Sequence, residues 1–182
     1  FMTRLTRARV RKQNSDMTTL HYLAYGSNLH PRRLQRRVPS ARIVGTVGLM
    51  GWQLKFHKRG QDASAKCNIL QTGKTSNVVY GAVYEMHASE RKELDQAEGL
   101  NRGYILTNIE IAGQGTAFFY IAEDQYIDNN LLPFNWYKEL VIAGSQFHAF
   151  PEMYLEQINR VNAMKDFDQA RHQRHMAILD VV

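Results

Sequence analysis

Residues 20–29 read Leu20-His21-Tyr22-Leu23-Ala24-Tyr25-Gly26-Ser27-Asn28-Leu29, a short apolar run that breaks into Tyr-Gly-Ser-Asn-Leu and then into a segment of helical character. A strand that ends in Gly-Ser-Asn and turns into a helix exposes a row of backbone N–H groups at the helix start. With the positive end of the helix dipole, such a row receives a carboxylate or a developing oxyanion. Gly26 permits close approach of a ligand to the backbone, while Ser27 and Asn28 can instead cap the orphan donors of the turn. From this segment alone, a capped strand-to-helix turn fits as well as a binding loop.

Outward from the loop, the pattern is continuous, without repeats or long linkers. Leu20–Ala24 is predicted as a strand and Pro31–Val38 as a short helix, with Pro31 in its first turn and Pro39 closing it. Its arginines, Arg32, Arg33, Arg36 and Arg37, are expected to form a solvated face that can also raise the local potential for an anion. Further strands are predicted at Ile43–Met50, around Trp52, Leu54 and Phe56, and at Cys67–Leu70, Val78–Met86, Tyr104–Ile111 and Thr116–Ala122. Helices are predicted at Ser89–Ala97, Phe134–Ala143 and Pro151–Met164. This order points to an α+β fold of mostly antiparallel strands, closed into a small β-barrel with helices at the periphery.

The chain has 182 residues, of which 44% are hydrophobic, enough for one well-cored domain and short for two. No apolar run approaches a membrane span and no secretory signal is evident, so the expectation is a soluble protein with no membrane partner. Cys67 stands alone, which excludes an internal disulfide and fits a reducing cytoplasm. The net charge of +6 is unevenly placed, since Arg4, Arg7, Arg9, Arg11 and Lys12 against Asp16 supply +4 within residues 1–16. Residues 1–19 are therefore read as a basic arm, a solvated tail or an appended non-native segment rather than a nucleic-acid surface. The domain is expected over residues 20–170, with residues 171–182 as a C-terminal extension.

A second segment, Leu94-Asp95-Gln96-Ala97-Glu98-Gly99, bears on chemistry. Ser89 is the expected N-cap and Gly99 the stop, which leaves Glu98 at the C-terminal end of the helix. A carboxylate there faces the negative end of the dipole, which makes it a stronger base. The plain alternative is an exposed Glu beside a helix stop. Elsewhere the signals are weaker. The seven histidines form no His-x-x-x-His pair, and His172 and His175 are read as the solvated face of a polar helix. Ser27 lacks the Gly-x-Ser-x-Gly context of a nucleophile elbow. Phe118, Phe119 and Tyr120 are read as strand core.

Taken in order, Tyr25-Gly26-Ser27-Asn28-Leu29, Leu94-Asp95-x-x-Glu98-Gly99, Gly103-Tyr104, Trp136-Tyr137-Lys138 with Ile142-Ala143-Gly144, and Pro151-x-x-Tyr154-x-x-x-Ile158 resemble the gamma-glutamylcyclotransferase family over roughly residues 20–165. The resemblance implies a small β-barrel flanked by helices and a cavity beneath the Tyr-Gly-Ser-Asn loop. It implies release of 5-oxoproline from γ-glutamyl amino acids or amines, without metal or organic cofactor. By analogy it also implies a homodimer. On this resemblance Glu98 is the general acid/base. Tyr25, Gly26, Ser27, Asn28, Leu29 and Tyr137 bind substrate, with the loop N–H groups holding the oxyanion or the α-carboxylate, and Tyr104 serves as pocket wall or core. Lys66-Cys67-Asn68 departs from the Gly-rich strand of some relatives, which leaves substrate size open. A γ-glutamylamine-specific or deprotecting cyclotransferase and a non-catalytic metabolite-binding protein are the alternatives.

Overall fold

The computed structural model of the protein describes residues 18–180. The loop of interest leaves the central strand of the main sheet. Strand β1 (Thr19–Ala24) lies between β5 (Val78–His87), to which it is antiparallel, and β7 (Gly115–Ala122), to which it is parallel. The parallel contact pairs His21 with Ala117 and Tyr22 with Phe118. Outside these lie β2 (Arg42–Met50) on β5 and β6 (Tyr104–Ile111) on β7, giving the order β2-β5-β1-β7-β6. Strands β3 (Trp52–Arg59) and β4 (Ala65–Gln71) form a separate antiparallel hairpin.

The fold is α+β and mostly antiparallel, as expected, but the sheet is not a closed barrel. Edge strands β2 and β6 do not pair, and β3–β4 is a second, two-stranded sheet. Strand β2 is exposed along most of its length, as an edge strand should be when one face meets solvent. The strand boundaries follow the apolar pattern closely, and β6 begins and ends where predicted. Strand β1 starts one residue inside the segment expected to be arm. The rest of that arm, residues 1–17, lies outside the described residues, as do residues 181–182.

Among the described residues five α-helices pack around the sheets: α1 (Pro31–Gln35), α2 (Arg91–Glu98), α3 (Asn135–Phe147), α4 (Glu152–Asn159) and α5 (Gln169–Met176). Helix α1 is shorter than predicted, its end tightening into a turn in which the Leu34 carbonyl accepts from both Arg37 N–H and Val38 N–H at 2.9 Å. Helix α2 begins at Arg91, and Ser89 makes no cap hydrogen bond but sits inside a preceding 3-10 turn. Helix α5 spans the boundary expected between residues 170 and 171. It is tied down by Arg171, whose Nε and Nη2 each donate at 2.6 Å to Asp166, and Trp136 Nε1 donates to the same carboxylate at 2.8 Å. These bonds, Arg171 foremost, hold the Asp166 carboxyl well below the usual range.

The core runs through β1, β5, β7 and α3. Leu23, Ala24, Val83, Tyr84, Phe119 and Leu140 are essentially inaccessible, and Phe118 and Tyr120 join them as predicted. Burying one such side chain contributes roughly 1.5–3 kcal/mol relative to leaving it exposed. Helix α3 meets the loop at Gly144, where a Cβ would lie 2.5 Å from Leu29 Cβ and 2.7 Å from the His30 nitrogen. Only a residue without a side chain lets the helix seat directly against that loop.

Candidate active site

The loop is fixed before any ligand is considered. Residues Ser27–Leu29 form a 3-10 turn, and Leu29 N–H donates to the Gly26 carbonyl at 2.9 Å. The Leu29 carbonyl accepts from Tyr84 Oη at 2.7 Å and from His148 Nε2 at 2.9 Å, so the His148 proton sits on Nε2. Leu29 therefore anchors the loop from below. Its side chain is fully buried and its N–H is committed, which removes it from the expected set of substrate-binding donors. Gly26 also serves packing: a Cβ there would stand 3.0 Å from Cys67 Cβ and 3.4 Å from Tyr137 Oη. The close approach anticipated at this glycine is made by β4 and α3.

Glu98, seventy residues from Asn28, reaches the same place from the end of α2, which stops at Gly99 in a left-handed conformation. Asn28 Nδ2 donates to Glu98 Oε1 at 2.9 Å and to Tyr22 Oη at 3.1 Å. Arg37 Nη1 donates to Glu98 Oε1 at 2.6 Å and to Asn28 Oδ1 at 3.0 Å. Three side chains thus close a ring of charge-assisted hydrogen bonds that fixes the carboxylate in one orientation. All the donors fall on Oε1, and among the described residues Oε2 takes no hydrogen bond. Arg37 also places a positive charge against a carboxylate that stands at the negative end of its helix.

Beneath Glu98 lies a crevice of about 20 Å³, walled by Tyr22, Tyr25, Tyr104, Tyr120 and Tyr137 together with Cys67 and the turn Gly26–Asn28. That is space for about one water-sized group. The hydroxyls are committed: Tyr25 donates to the Tyr120 carbonyl, Tyr104 to the Cys67 carbonyl, Tyr120 to Asp95 at 2.6 Å, and Tyr137 accepts from Cys67 N–H at 3.0 Å. Burial, the largest cause in every case, raises all five phenols well above their ordinary range. It also pushes the Cys67 thiol up to about 12. Glu98 is the one carboxylate among the side chains that line this crevice.

The crevice opens past Ser27, Glu98, Tyr104 and Tyr137 into a cavity of about 320 Å³. Arg33, Arg37, Lys58, Lys66 and Arg102 line it against only Asp62 and Glu98. Lys66 is paired with Asp62 at 2.7 Å. Arg33 donates through Nε to Ser27 Oγ at 3.0 Å and through Nη1 to His175 Nδ1 at 3.1 Å. His175 stacks on Trp136 with ring centroids 3.8 Å apart. Its imidazole is pushed down to about 4, by burial first and then by the charges of Arg33 and Lys66, so it accepts as a neutral ring.

Of the residues expected from sequence, the structure brings Glu98 and Asn28 into contact and lines the crevice with Tyr25, Gly26, Ser27 and Tyr137. The arginine helix is corrected. Arg32 and Arg36 are exposed, whereas Arg33 is buried and Arg37 half-buried, both turned toward the site. Their i, i+4 spacing, beside the buried i, i+4 pair Leu34 and Val38, was the available signal. His175 is likewise corrected, from a solvated face to the cavity wall. Lys58, Tyr22 and Tyr120 were missed, because each reads as ordinary strand alternation.

Comparison with known proteins places the chain among similar sequences and folds. A family model described as AIG2-like matches residues 78–158, from β5 through α4. The gamma-glutamylcyclotransferase of Homo sapiens is 26% identical over 154 residues, 80% of each chain, and that of Bos taurus 25% identical over 154 residues, 82% of each. A solved structure of a gamma-glutamyl cyclotransferase superimposes with a TM-score of 0.76 at 23% identity, covering 90% of this chain and all of the other. Among the described residues no helix is long and apolar enough to cross a membrane. In sequence and in fold, the chain is thus similar to gamma-glutamylcyclotransferases, and its residues 78–158 match the AIG2-like family model.

Proposed function

We propose that this protein is a gamma-glutamylcyclotransferase that converts γ-glutamyl compounds to 5-oxoproline and a free amino acid or amine, with Glu98 as general acid/base. The observation that carries the reading is the Glu98 carboxylate itself. It is locked through Oε1 by Asn28 and Arg37, has Oε2 without a protein donor, and stands over a crevice whose other titratable groups stay protonated.

A γ-glutamyl compound contains its own nucleophile, the α-amine, and its own electrophile, the γ-carbonyl carbon. Glu98 Oε2 takes a proton from the α-ammonium, and the freed nitrogen pair attacks the γ-carbon to form the new C–N bond. The crevice has room for the resulting oxyanion, and the backbone N–H groups of Gly26 to Asn28 offer donors for it or for the α-carboxylate. Collapse breaks the original amide bond. Two of the three ammonium protons end on the departing nitrogen, relayed through Glu98 one at a time, and the lactam keeps the third. Holding amine and carbonyl in near-attack geometry contributes up to about 7–11 kcal/mol of the barrier, more than any single donor.

The test is Glu98→Gln assayed for 5-oxoproline release from γ-glutamyl-alanine. Loss of a general acid/base predicts a kcat about 10²–10⁴-fold lower, with an unchanged circular dichroism spectrum. A folded variant that keeps wild-type turnover removes Glu98 from the chemistry.

A further inference from the structure

The mechanism leaves two buried cations in the outer cavity without a task. Lys58, on β3, is 4% exposed and Arg33, on α1, is 6% exposed, and both line the cavity. Among the described residues neither is ion-paired with a carboxylate. The Lys58 ammonium lies 4.4 Å over the Tyr104 ring and 5.8 Å over that of Tyr126, contacts that tolerate a cation without neutralising it. Arg33 is fixed by Ser27 and the neutral His175, and its guanidinium lies 5.9 Å over Trp136. The carboxylates that act on Lys58 (Glu98, Asp62 and Glu123) and on Arg33 (Glu98) do so from beyond ion-pair distance, so each buried charge is met in full only when a ligand brings an anion into contact.

The inner crevice, at about 20 Å³, cannot hold a leaving group, so everything beyond the scissile amide must lie in the 320 Å³ cavity. Five cations line that cavity against two carboxylates, an excess of three. A γ-glutamyl compound of a neutral amino acid brings two carboxylates, and one of an acidic amino acid brings three. Arg33 and Lys58 stand on different elements beside different rings, Trp136 and Tyr104, which suits two separate carboxylates on one branched residue. Resting on the cyclotransferase reading, we propose that Arg33 and Lys58 form a carboxylate subsite for the departing residue. This subsite selects γ-glutamyl dipeptides whose second residue is itself acidic. A γ-glutamylamine, neutral or cationic beyond the amide, leaves both charges unmet.

The experiment compares kcat/KM of the wild-type protein on γ-glutamyl-glutamate, γ-glutamyl-alanine and γ-glutamyl-alaninamide. Each carboxylate removed is expected to cost about tenfold, mostly in KM, as for a site whose buried charge is left unpaired. Lys58→Met should bring the glutamate-to-alanine ratio to within about twofold, while Lys58→Arg, which keeps the charge, should retain it. Equal handling of γ-glutamyl-glutamate and γ-glutamyl-alaninamide by the wild type overturns the subsite, as does an undiminished ratio in Lys58→Met. If Glu98→Gln is inactive while the wild-type ratios are flat, the subsite alone is lost. If none of the three compounds yields 5-oxoproline, the cyclotransferase reading falls. Calorimetric affinities for the same three compounds then decide the subsite by the same ratios.

Discussion

The crevice under Glu98 and the cavity outside it share four wall residues, yet they are built on opposite electrostatic plans. Inside, phenols and a thiol are held protonated by burial, the phenol hydroxyls are hydrogen-bonded, and one carboxylate is locked through one oxygen. Outside, cations outnumber carboxylates and two of them are buried with no carboxylate at ion-pair distance among the described residues. The inner region is suited to moving a proton, which needs one acceptor in fixed geometry and no competitors. The outer region is suited to choosing a ligand by charge. Chemistry and selectivity should therefore separate under mutation, with inner changes falling on kcat and outer ones on KM.

After Glu98 itself, the largest inner effect is expected from Asn28→Ala. The substitution removes the donor that ties Glu98 Oε1 to Tyr22, leaving Arg37 free to swing the carboxylate out of register. Losing a hydrogen bond to a charged group costs about 1.5–3 kcal/mol, so kcat should fall roughly 10–100-fold with KM little moved. A change confined to KM breaks the division between the two regions. Because Asn28 acts through Glu98, the pH profile of kcat should also shift, which a merely structural role would not produce.

Next come two changes that act on the scaffold behind each region. Asp166→Asn weakens the attachment of α5, and with it His175 and the Arg33 wall, by about 2–3 kcal/mol. The native carboxyl titrates below its unfolded value, so its contribution is complete above the ordinary carboxylate range. It is lost as pH falls from there through the lower folded value. Thermal melts of wild type and variant should thus converge in acid, and a gap that persists there overturns the assignment. Gly144→Ala presses a Cβ to within 2.5 Å of Leu29 Cβ. Overpacking of this kind costs about 1–3 kcal/mol, and here it also tilts the loop that carries Asn28, so kcat should drop together with stability.

How much of this was legible beforehand differs between the same two regions. Glu98 and Asn28 stand at points where local rules speak loudly, a helix stop at Gly99 and a strand-to-turn transition at Gly26, and the two side chains meet. The strands were legible too, since alternation reports which face of a strand is buried. Alternation does not report neighbours. Neither the parallel contact of β1 with β7 nor the failure of β2 and β6 to meet could be read from it, and so the barrel was expected to close. The outer cavity was the least legible. A buried Lys58 looks like any solvent-facing lysine of a strand, and Arg33 sits in a run of arginines whose other members, Arg32 and Arg36, do face solvent. Burial of a charge depends on tertiary neighbours such as Tyr104, Trp136 and His175, which come from remote parts of the chain.

The smallest expected effect tests whether burial, rather than mere position on the wall, gives the outer cavity its selectivity. Arg102 lines the same cavity as Lys58 but is exposed. Solvent and salt screen such a charge over about 8–10 Å at ordinary ionic strength, while a buried one is screened far less. Arg102→Ala should therefore raise KM for γ-glutamyl-glutamate by no more than about threefold, and that rise should vanish as salt is increased toward about 1 M. The KM penalty of Lys58→Met should survive the same salt. If the two penalties fade together, both cations act as a diffuse field at the mouth that steers anions inward, and the cavity attracts acidic ligands without discriminating among them.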